Sequence, residues 1–208
     1  MQAGSGTGSG RCDRSFFDVD CEVLAQRLLG CVLVRNSSGE DQGECRGKIV
    51  ETEAYLGIED KAAHSYNGRK TERNAAMFMQ AGTAYVYSIY GIHRCFNISS
   101  HGEGAAVLVR ALEPVEGVET MRAKRKAAKK DKDLCSGPAK LCQALDINKL
   151  CDKVDLVSSD CLWVEPGTKP LSDADIIKSA RIGVDYAEEW AKKSLRFYIK
   201  GNLCVSKK

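Results

Sequence analysis

Histidine and proline are both scarce in this chain of 208 residues, which contains three histidines and four prolines. So few histidines leave little scope for metal centres or for catalytic triads. The ten cysteines are more numerous, but no two are spaced as Cys-x-x-Cys, so we expect no metal. The signatures of zinc deaminases, G-x-S-x-G hydrolases, P-loop proteins and dinucleotide-binding folds are also missing.

Long apolar runs are missing as well, because no stretch approaches the roughly 20 residues of a membrane-spanning helix. We therefore expect no membrane association. The sequence also lacks a secretory apolar segment, so the dispersed cysteines are interpreted as buried free thiols in a reducing compartment. The net charge is only +3, and an argument for nucleic-acid binding must therefore rest on where the charges lie.

The order of elements predicts a single α+β domain over residues 16–208, preceded by a flexible Gly/Ser-rich tail over residues 1–15. The hydrophobic share of 43% is that of an ordinary globular protein. Helices are predicted over Cys21–Leu29, Val115–Lys132, Ala139–Leu145 and Ser172–Ser179. Strands are predicted over Cys31–Arg35, through Gly47 into Ile49–Leu56, and over Thr83–Tyr90, Ile92–Ser99, Ala105–Leu112, Trp163–Val164 and Leu195–Lys200.

The predicted strand that begins at Ile49 has an unusual distribution of polar groups. Strand alternation puts Glu51, Glu53 and Tyr55 on one face. The other face is apolar enough for the core and consists of Val50, Thr52, Ala54 and Leu56. His64 follows shortly afterwards, so a carboxylate, an aromatic ring and an imidazole can form an acid/base site. The alternative is an edge strand with a solvated acidic face, and the spacing cannot choose between the two glutamates.

A tyrosine-rich hairpin follows, in which Thr83–Tyr90 and Ile92–Ser99 are the two strands. Tyr90 lies near the tip, where a large aromatic side chain is exposed unless a ligand covers it. Arg110 interrupts the apolar strand that comes next, and a buried guanidinium needs an acidic or polar partner.

Basic segments surround these aromatic residues in the sequence, at Arg69–Arg73, at Lys124–Lys130 and at Lys140. Lys140 lies beside a helix start at Ser136–Pro138, where free backbone N–H groups suit a phosphate. Taken singly, each feature is typical of a solvated surface. Rings that stack a base, a tip residue and cations for phosphates together favour a nucleic-acid-binding protein.

Six stretches of the chain resemble the alkyladenine DNA glycosylases, which remove 3-methyladenine and related damaged purines. The stretches are ETEAYLG at 51–57, AAHS at 62–65, MFM at 77–79, YVYSIYGIHRCFNISS at 85–100, LVRALEP at 108–114 and LCSGPAKLCQAL at 134–145. The resemblance keeps the same order from about Leu24 to Val205. It implies a curved, mostly antiparallel sheet with surrounding helices and a protruding hairpin that inserts into DNA.

The resemblance also implies the reacting groups. Glu53 would be the general base that activates water for attack on C1′ of the sugar, and Arg110 would help to hold this water and the carboxylate. Glu51 would then be either a supporting group behind the site or a surface carboxylate. One carboxylate can suffice, because an alkylated purine is already a positively charged leaving group, and no cofactor is implied.

The pocket for the base is implied in the same way. Tyr55, His64 and Tyr87 would sandwich the flipped purine, and His64 would also bond to the edge of the base. Asn97 would disfavour guanine through its exocyclic amino group. The implied substrates are 3-methyladenine, 7-methylguanine, hypoxanthine and ethenoadenine in double-stranded DNA, hydrolysed by a monomeric enzyme of base excision repair.

The remaining implied roles are contacts with the duplex. Tyr90 would enter the helix and fill the gap left by the flipped nucleotide, while Arg69 and Lys140 would bind phosphates. The tip departs from the family pattern, which often has Met-Tyr where this chain has Ile92-His93, so contacts with neighbouring bases are expected to differ.

Two other function classes compete with this prediction. One is a DNA-binding protein on the same scaffold without catalysis, which would have no need of Glu53 and Arg110 together. The other is a small-molecule or RNA-modifying enzyme with the same pocket, which would not need the tip tyrosine. A glycosylase of this family is expected in the nucleus and mitochondria of a eukaryote, or in the cytoplasm of a prokaryote.

Overall fold

The computed structural model describes residues 10–37 and 43–207, and its main feature is an open eight-stranded sheet. The strands are β1 (Val32–Ser37), β2 (Gly43–Tyr55), β3 (Ala84–Ile89), β4 (His93–Ser99), β5 (Ala106–Glu116), β6 (Leu162–Glu165), β7 (Ile176–Ser179) and β8 (Arg196–Ile199). Their order is β3-β4-β5-β2-β1-β6, with β8 paired to β2 and β7 to β8, and all these pairs are antiparallel. The α+β class and the mostly antiparallel sheet are therefore confirmed.

Four short α-helices accompany the sheet: α1 (Arg14–Phe17), α2 (Cys21–Arg27), α3 (Val118–Lys124) and α4 (Pro138–Ala144). Short 3₁₀ segments lie at Tyr66–Gly68, Glu72–Phe78, Asp131–Asp133, Lys149–Cys151, Asp173–Asp175 and Asp185–Lys192. Helices α2 and α4 pack on β2, β4 and β5. The main core lies between these helices and the sheet, and it includes the fully buried Leu24, Phe96, Val109, Leu112 and Leu141.

Two predicted helices are wrong in extent or type. The helix predicted over Val115–Lys132 is only α3, because the lysine-rich stretch after it places like charges one turn apart and has little apolar surface to bury. The segment Ser172–Ser179 starts with a capping box between Ser172 and Asp175 but forms only one 3₁₀ turn. It then continues as β7, whose β-branched residues pair with β8.

Strand β2 changes its pairing partner and its register at the centre of the sheet, beside Glu51. Its first half pairs with β1 and its second half with β8, while β5 runs along the other edge. Register shifts of the β2–β5 pairing lie on both sides of Glu51, which is typical of a β-bulge beside a functional site. Val50 consequently packs with Ala111 and Val205, away from the main core that contains Ala54. The predicted shared face of Val50 and Ala54 is wrong, because the bulge breaks the alternation.

Residues 11–15, which the sequence assigns to the N-terminal tail, contact the sheet. The N–H of Cys12 donates to the carbonyl of Val164 at 2.8 Å, and the guanidinium of Arg11 lies 4.2 Å from the ring centroid of Trp163. Asp13 accepts a hydrogen bond from the N–H of Phe16 and caps α1. The packed part of the chain thus extends N-terminal to residue 16.

All ten cysteines lie in the described part of the chain and are free thiols, nine of them buried. This agrees with the interpretation of the cysteines as core residues. Among the helices of residues 10–37 and 43–207, none has the length and apolar character needed to cross a membrane.

Candidate active site

Glu51 and Glu53 of β2 are fully buried and share one cation, Arg110 of β5. Nε of Arg110 donates to Oε1 of Glu51 at 3.2 Å, and Nη1 of Arg110 lies 3.2 Å from Oε1 of Glu53. The antiparallel β2–β5 pairing brings these side chains together from two neighbouring strands. The acidic partner expected for Arg110 is therefore a pair of carboxylates, and the alternative of a solvated acidic face is wrong.

Glu53 receives further donors from two separate parts of the chain. The hydroxyl of Tyr55 donates to Oε2 at 2.8 Å, and the N–H of Ile182 donates to Oε1 at 2.8 Å. Burial, followed by the negative charge of Glu53, raises the pKa of Tyr55 well above its ordinary value, so its phenol stays a neutral donor. These contacts fix the orientation of the Glu53 carboxylate.

Glu51 has different partners, and they make it a supporting group. Arg196 of β8 donates through Nη1 to Oε1 at 2.8 Å, and the N–H of Ser206 donates to Oε2 at 2.6 Å. Its carboxylate therefore ties Arg110 to Arg196 within the sheet. Of the two expectations for Glu51, a surface carboxylate is wrong because its side chain has no exposed area.

A cavity of about 270 Å³ opens in front of this cluster. Its lining includes four of the residues expected to hold a base, Tyr55, His64, Tyr87 and Asn97, and also Arg110. Its volume is near the lower end for small-molecule pockets, which suits one planar base. Glu53 lies directly behind the wall, since three of its partners, Tyr55, Arg110 and Ile182, line the cavity.

The aromatic walls are held in fixed orientations. The rings of His64 and Tyr87 meet edge to face at a centroid distance of 4.7 Å, and Nδ1 of His64 lies 2.8 Å from the hydroxyl of Tyr85. With Nδ1 engaged, Nε2 is the ring nitrogen available to a ligand. Partial burial, then the charges of Arg73 and Arg69, lower the pKa of His64 below its ordinary value, so the imidazole is neutral at physiological pH. Asn97 is fixed by the bond from its Nδ2 to the carbonyl of Tyr85, at 3.1 Å.

A buried ion pair behind Tyr55 completes the site, and the sequence did not single it out. Arg181 makes a two-bond contact with Asp60, at 2.5 and 2.9 Å, and also donates to the carbonyl of Ala54 at 3.0 Å. Its guanidinium carbon lies 4.7 Å from the ring centroid of Tyr55. The pair thus fixes the ring whose hydroxyl bonds to Glu53.

The signal that could have identified the missed cations is the one that identified Arg110. Arg196 stands in the apolar strand LRFYI, and Arg181 in the short apolar stretch ARIGV. A guanidinium in such a setting demands a buried acid. Ile182 gave no signal, because it acts through its backbone N–H.

The residues expected to contact the duplex are not among those that line the base cavity. Tyr90 and Ile92 form the hairpin tip, where their side chains are 90% and 76% exposed. Ile92 and Lys140 line a groove of about 1120 Å³ that also contains Arg94. Arg69 lines another cavity, of about 310 Å³. The three concavities are arranged around the hairpin and the His64 segment.

The backbone of the hairpin tip is left-handed at Tyr90, which the sequence did not predict. Ile89 and His93 pair, so the loop has three residues, of which Tyr90 and Gly91 have φ values of +51° and +74°. A left-handed conformation is ordinary for glycine but costs a tyrosine on the order of 1 kcal/mol. Such strain occurs most often at functional positions.

Residues 15–203 match the family model described as methylpurine-DNA glycosylase. This chain is 52% identical to the human DNA-3-methyladenine glycosylase over 204 residues. The alignment covers 94% of this chain and 68% of the human protein. The chain is 53% identical over 207 residues to the mouse DNA-3-methyladenine glycosylase, of which it covers 62%. It is 42% identical over 207 residues to a putative 3-methyladenine DNA glycosylase of Clostridium perfringens (strain SM101 / Type A), of which it covers 100%.

Proposed function

The chain belongs to the methylpurine-DNA glycosylase family, a family of DNA glycosylases, and we propose that it hydrolyses the N-glycosidic bond of damaged purines in double-stranded DNA. The damaged nucleotide leaves the helix and its base enters the aromatic cavity. One observation carries the proposal: the carboxylate of Glu53 is held behind the cavity wall by Arg110, Tyr55 and Ile182. A carboxylate so fixed can direct a water molecule onto the sugar.

The chemistry follows from charge. Cleavage passes through an oxocarbenium-like sugar, and the negative charge of Glu53 stabilises the positive charge that develops there. Glu53 also accepts a proton from the attacking water, which is the role of a general base. Arg110 holds the carboxylate in place, and Glu51 holds Arg110 from the opposite side.

Selection of the base has a chemical and a steric part. An alkylated purine leaves readily because it is already positively charged, and a weakly paired base costs less to extrude. Tyr55, His64 and Tyr87 stack on the purine, while neutral His64 bonds to its edge and Asn97 disfavours the amino group of guanine. The proposed substrates are 3-methyladenine, 7-methylguanine, hypoxanthine and ethenoadenine.

The duplex is proposed to lie over the hairpin tip, with the enzyme acting as a monomer. Tyr90 fills the gap in the base stack, Ile92 contacts the adjacent bases, and Arg69 and Lys140 bind phosphates. In a eukaryotic cell such an enzyme would act in the nucleus and mitochondria, and in a prokaryotic cell in the cytoplasm.

Single-turnover excision from a duplex with one ethenoadenine tests the proposal. Glu53→Gln keeps the size of the side chain and removes its charge and basicity. We expect it to bind the duplex but to excise roughly 10²–10⁴-fold more slowly.

Glu59→Gln is the matched control, because it removes the same charge at an exposed position. It should excise at the parent rate. Equal rates for Glu53→Gln and the parent would refute the role of Glu53. A parent protein that binds the damaged duplex without excising any of the proposed bases would instead identify a DNA-binding protein without catalysis.

A further inference from the structure

Two cavities of similar size share a wall beside His64. The base cavity has about 270 Å³, and its neighbour has about 310 Å³. Arg69 and Arg73 line the neighbouring cavity and make it cationic, and Lys61, which also lines it, is paired with carboxylates. The residues common to both linings are Ala62, His64, Tyr85 and Tyr186.

Tyr186 differs from the other members of this shared wall. Ala62 and Tyr85 are buried, and His64 is exposed but already has a proposed contact with the edge of the base, whereas Tyr186 is 69% exposed and has no proposed contact with the base. Its hydroxyl donates to the carbonyl of Ala62 at 3.3 Å, so the ring stands at the rim across both openings. An exposed ring over two cavities is available to a ligand that spans them.

The segment that carries Tyr186 is held firmly on both sides of it. Upstream, Arg181 pairs with Asp60, and the N–H of Ile182 bonds to Glu53. Downstream, Nζ of Lys61 lies 2.6 Å from Oε2 of Glu188 and 2.9 Å from Oε1 of Glu189. These contacts fix the rim relative to the floor of the base cavity, so the ring has a defined position before any ligand binds.

We propose that Tyr186 packs against the deoxyribose of the flipped nucleotide. The inference rests on the proposed function and deepens it. When the purine occupies the base cavity and the adjoining phosphate lies by Arg69 and Arg73, the sugar must cross the wall between the two cavities. His64 and Tyr186 are the two exposed rings at that crossing, and His64 is assigned to the base, which leaves Tyr186 for the sugar. Tyr186 therefore contacts the deoxyribose, which is the part of the nucleotide that every substrate shares.

This placement makes a prediction that contacts with the purine do not make. A sugar contact persists after the base has been released, whereas stacking on the base disappears. Tyr186 should thus retain the abasic product as well as each substrate, by the same factor. The tyrosine ring is the necessary group, and the hydroxyl only orients it.

Binding to duplexes with ethenoadenine, hypoxanthine or a tetrahydrofuran abasic nucleotide tests this inference. The Glu53→Gln background keeps the first two duplexes intact during the measurement. We expect Tyr186→Ala to weaken all three complexes by the same factor, about threefold to tenfold, from the lost aromatic contact. Tyr186→Phe should restore binding to within about twofold, because it keeps the ring.

Leu203→Ala is the control, since Leu203 has a similar exposure of 67% and is not among the residues that line these two cavities. Fluorescence of ethenoadenine reports the flipped state in the same samples, and single-turnover cleavage in the Glu53 background reports the bond-breaking step. In Tyr186→Ala, the population of the flipped nucleotide should fall by a larger factor than the rate of cleavage from the flipped state. A shift of the Ile182–Glu53 hydrogen bond alone would not produce this difference.

Two results would overturn the inference while leaving the proposed function standing. One is an unchanged affinity of Tyr186→Ala for the tetrahydrofuran duplex, and the other is a loss that differs between ethenoadenine and hypoxanthine. Absence of excision by the parent protein would refute the proposed function itself, so the two failures are distinguishable.

Discussion

The floor of the base cavity, formed by Glu51, Glu53 and their partners, differs from the tip of the hairpin, Tyr90 to Ile92, in how its side chains are held. At the floor, Glu51 and Glu53 have no exposed area, and each carboxylate contacts donors from at least two other segments. At the tip, Tyr90 and Ile92 project into solvent from a strained three-residue loop. The carboxylates of the floor are thus held by contacts within the chain, whereas the side chains of the tip are open to solvent and are proposed to contact DNA. Substitutions should accordingly affect stability and chemistry at the floor, and only DNA-dependent steps at the tip.

The largest effect is expected for Glu51→Ala, which leaves Arg110 and Arg196 buried without this shared carboxylate. Loss of one partner of a buried ion pair costs about 3–5 kcal/mol. We expect the free energy of unfolding to fall by that amount in guanidinium denaturation, and excision to fall because Arg110 loses its support.

Tyr90→Ala is the comparison on the exposed side and should change the free energy of unfolding by less than about 0.5 kcal/mol. Similar losses for the two variants would remove the contrast between floor and tip. Glu59→Ala controls for loss of a carboxylate in general.

An intermediate effect is expected for Tyr90→Ser, and only in the presence of DNA. A base–aromatic contact contributes roughly 1–3 kcal/mol, so the flipped state should lose about tenfold or more of its population relative to the stacked state. The rate of cleavage from the flipped state should change much less.

Fluorescence of ethenoadenine in the bound duplex measures the flipped population, and the single-turnover rate measures cleavage. Undiminished flipping in Tyr90→Ser would count against insertion of the tip into the helix. A loss confined to cleavage would do the same, because it would assign Tyr90 to the chemistry of the floor.

The smallest effect concerns His64, which lies between floor and tip and is partly exposed. Its pKa in the folded chain is below the ordinary value of 6.5, so the unfolded chain binds more protons as the pH falls. The contribution to stability is therefore complete above pH 6.5 and is lost as the pH falls from there towards the folded pKa.

Chemical unfolding of the parent and His64→Gln between pH 7.5 and roughly 5 measures this contribution. The parent should lose slightly more stability on acidification than the variant. A parent that gains stability relative to the variant would mean that His64 is protonated in the fold, contrary to its neutral role at the base edge.

Strands whose partners are local or strongly apolar were predictable from the sequence. The hairpin of β3 and β4 follows from alternation around Tyr90-Gly91, and β5 from its apolar run. The site was predictable where a residue breaks a pattern, as Glu53 and Arg110 do, although choosing between Glu51 and Glu53 required the resemblance.

The features of the fold and of the site that could not be predicted from the sequence depend on contacts between residues far apart in the chain. The bulge at Val50 arises because β2 changes partners from β1 to β8, and no local pattern encodes that change. The segment after Ser172 has a good helix-start signal, yet pairing with β8 prevails over one capping box. Ile182 contributes a backbone N–H from 129 residues away, and side-chain identity does not report such a contact.

The late segment that includes Ile182 and Tyr186 also has a consequence for biosynthesis. Strands β2 to β5 leave the ribosome before the segment that supplies the Ile182 N–H, the Arg181 guanidinium and the Arg196 partner of Glu51. A nascent chain that has emerged only as far as β5 has Glu53, Tyr55 and Arg110 but still lacks Ile182 and Tyr186. These contacts join residues more than 120 positions apart, so each of them closes a long loop at a cost in chain entropy. Unfinished chains therefore cannot assemble the complete cavity, which forms only after the late segment has been synthesised.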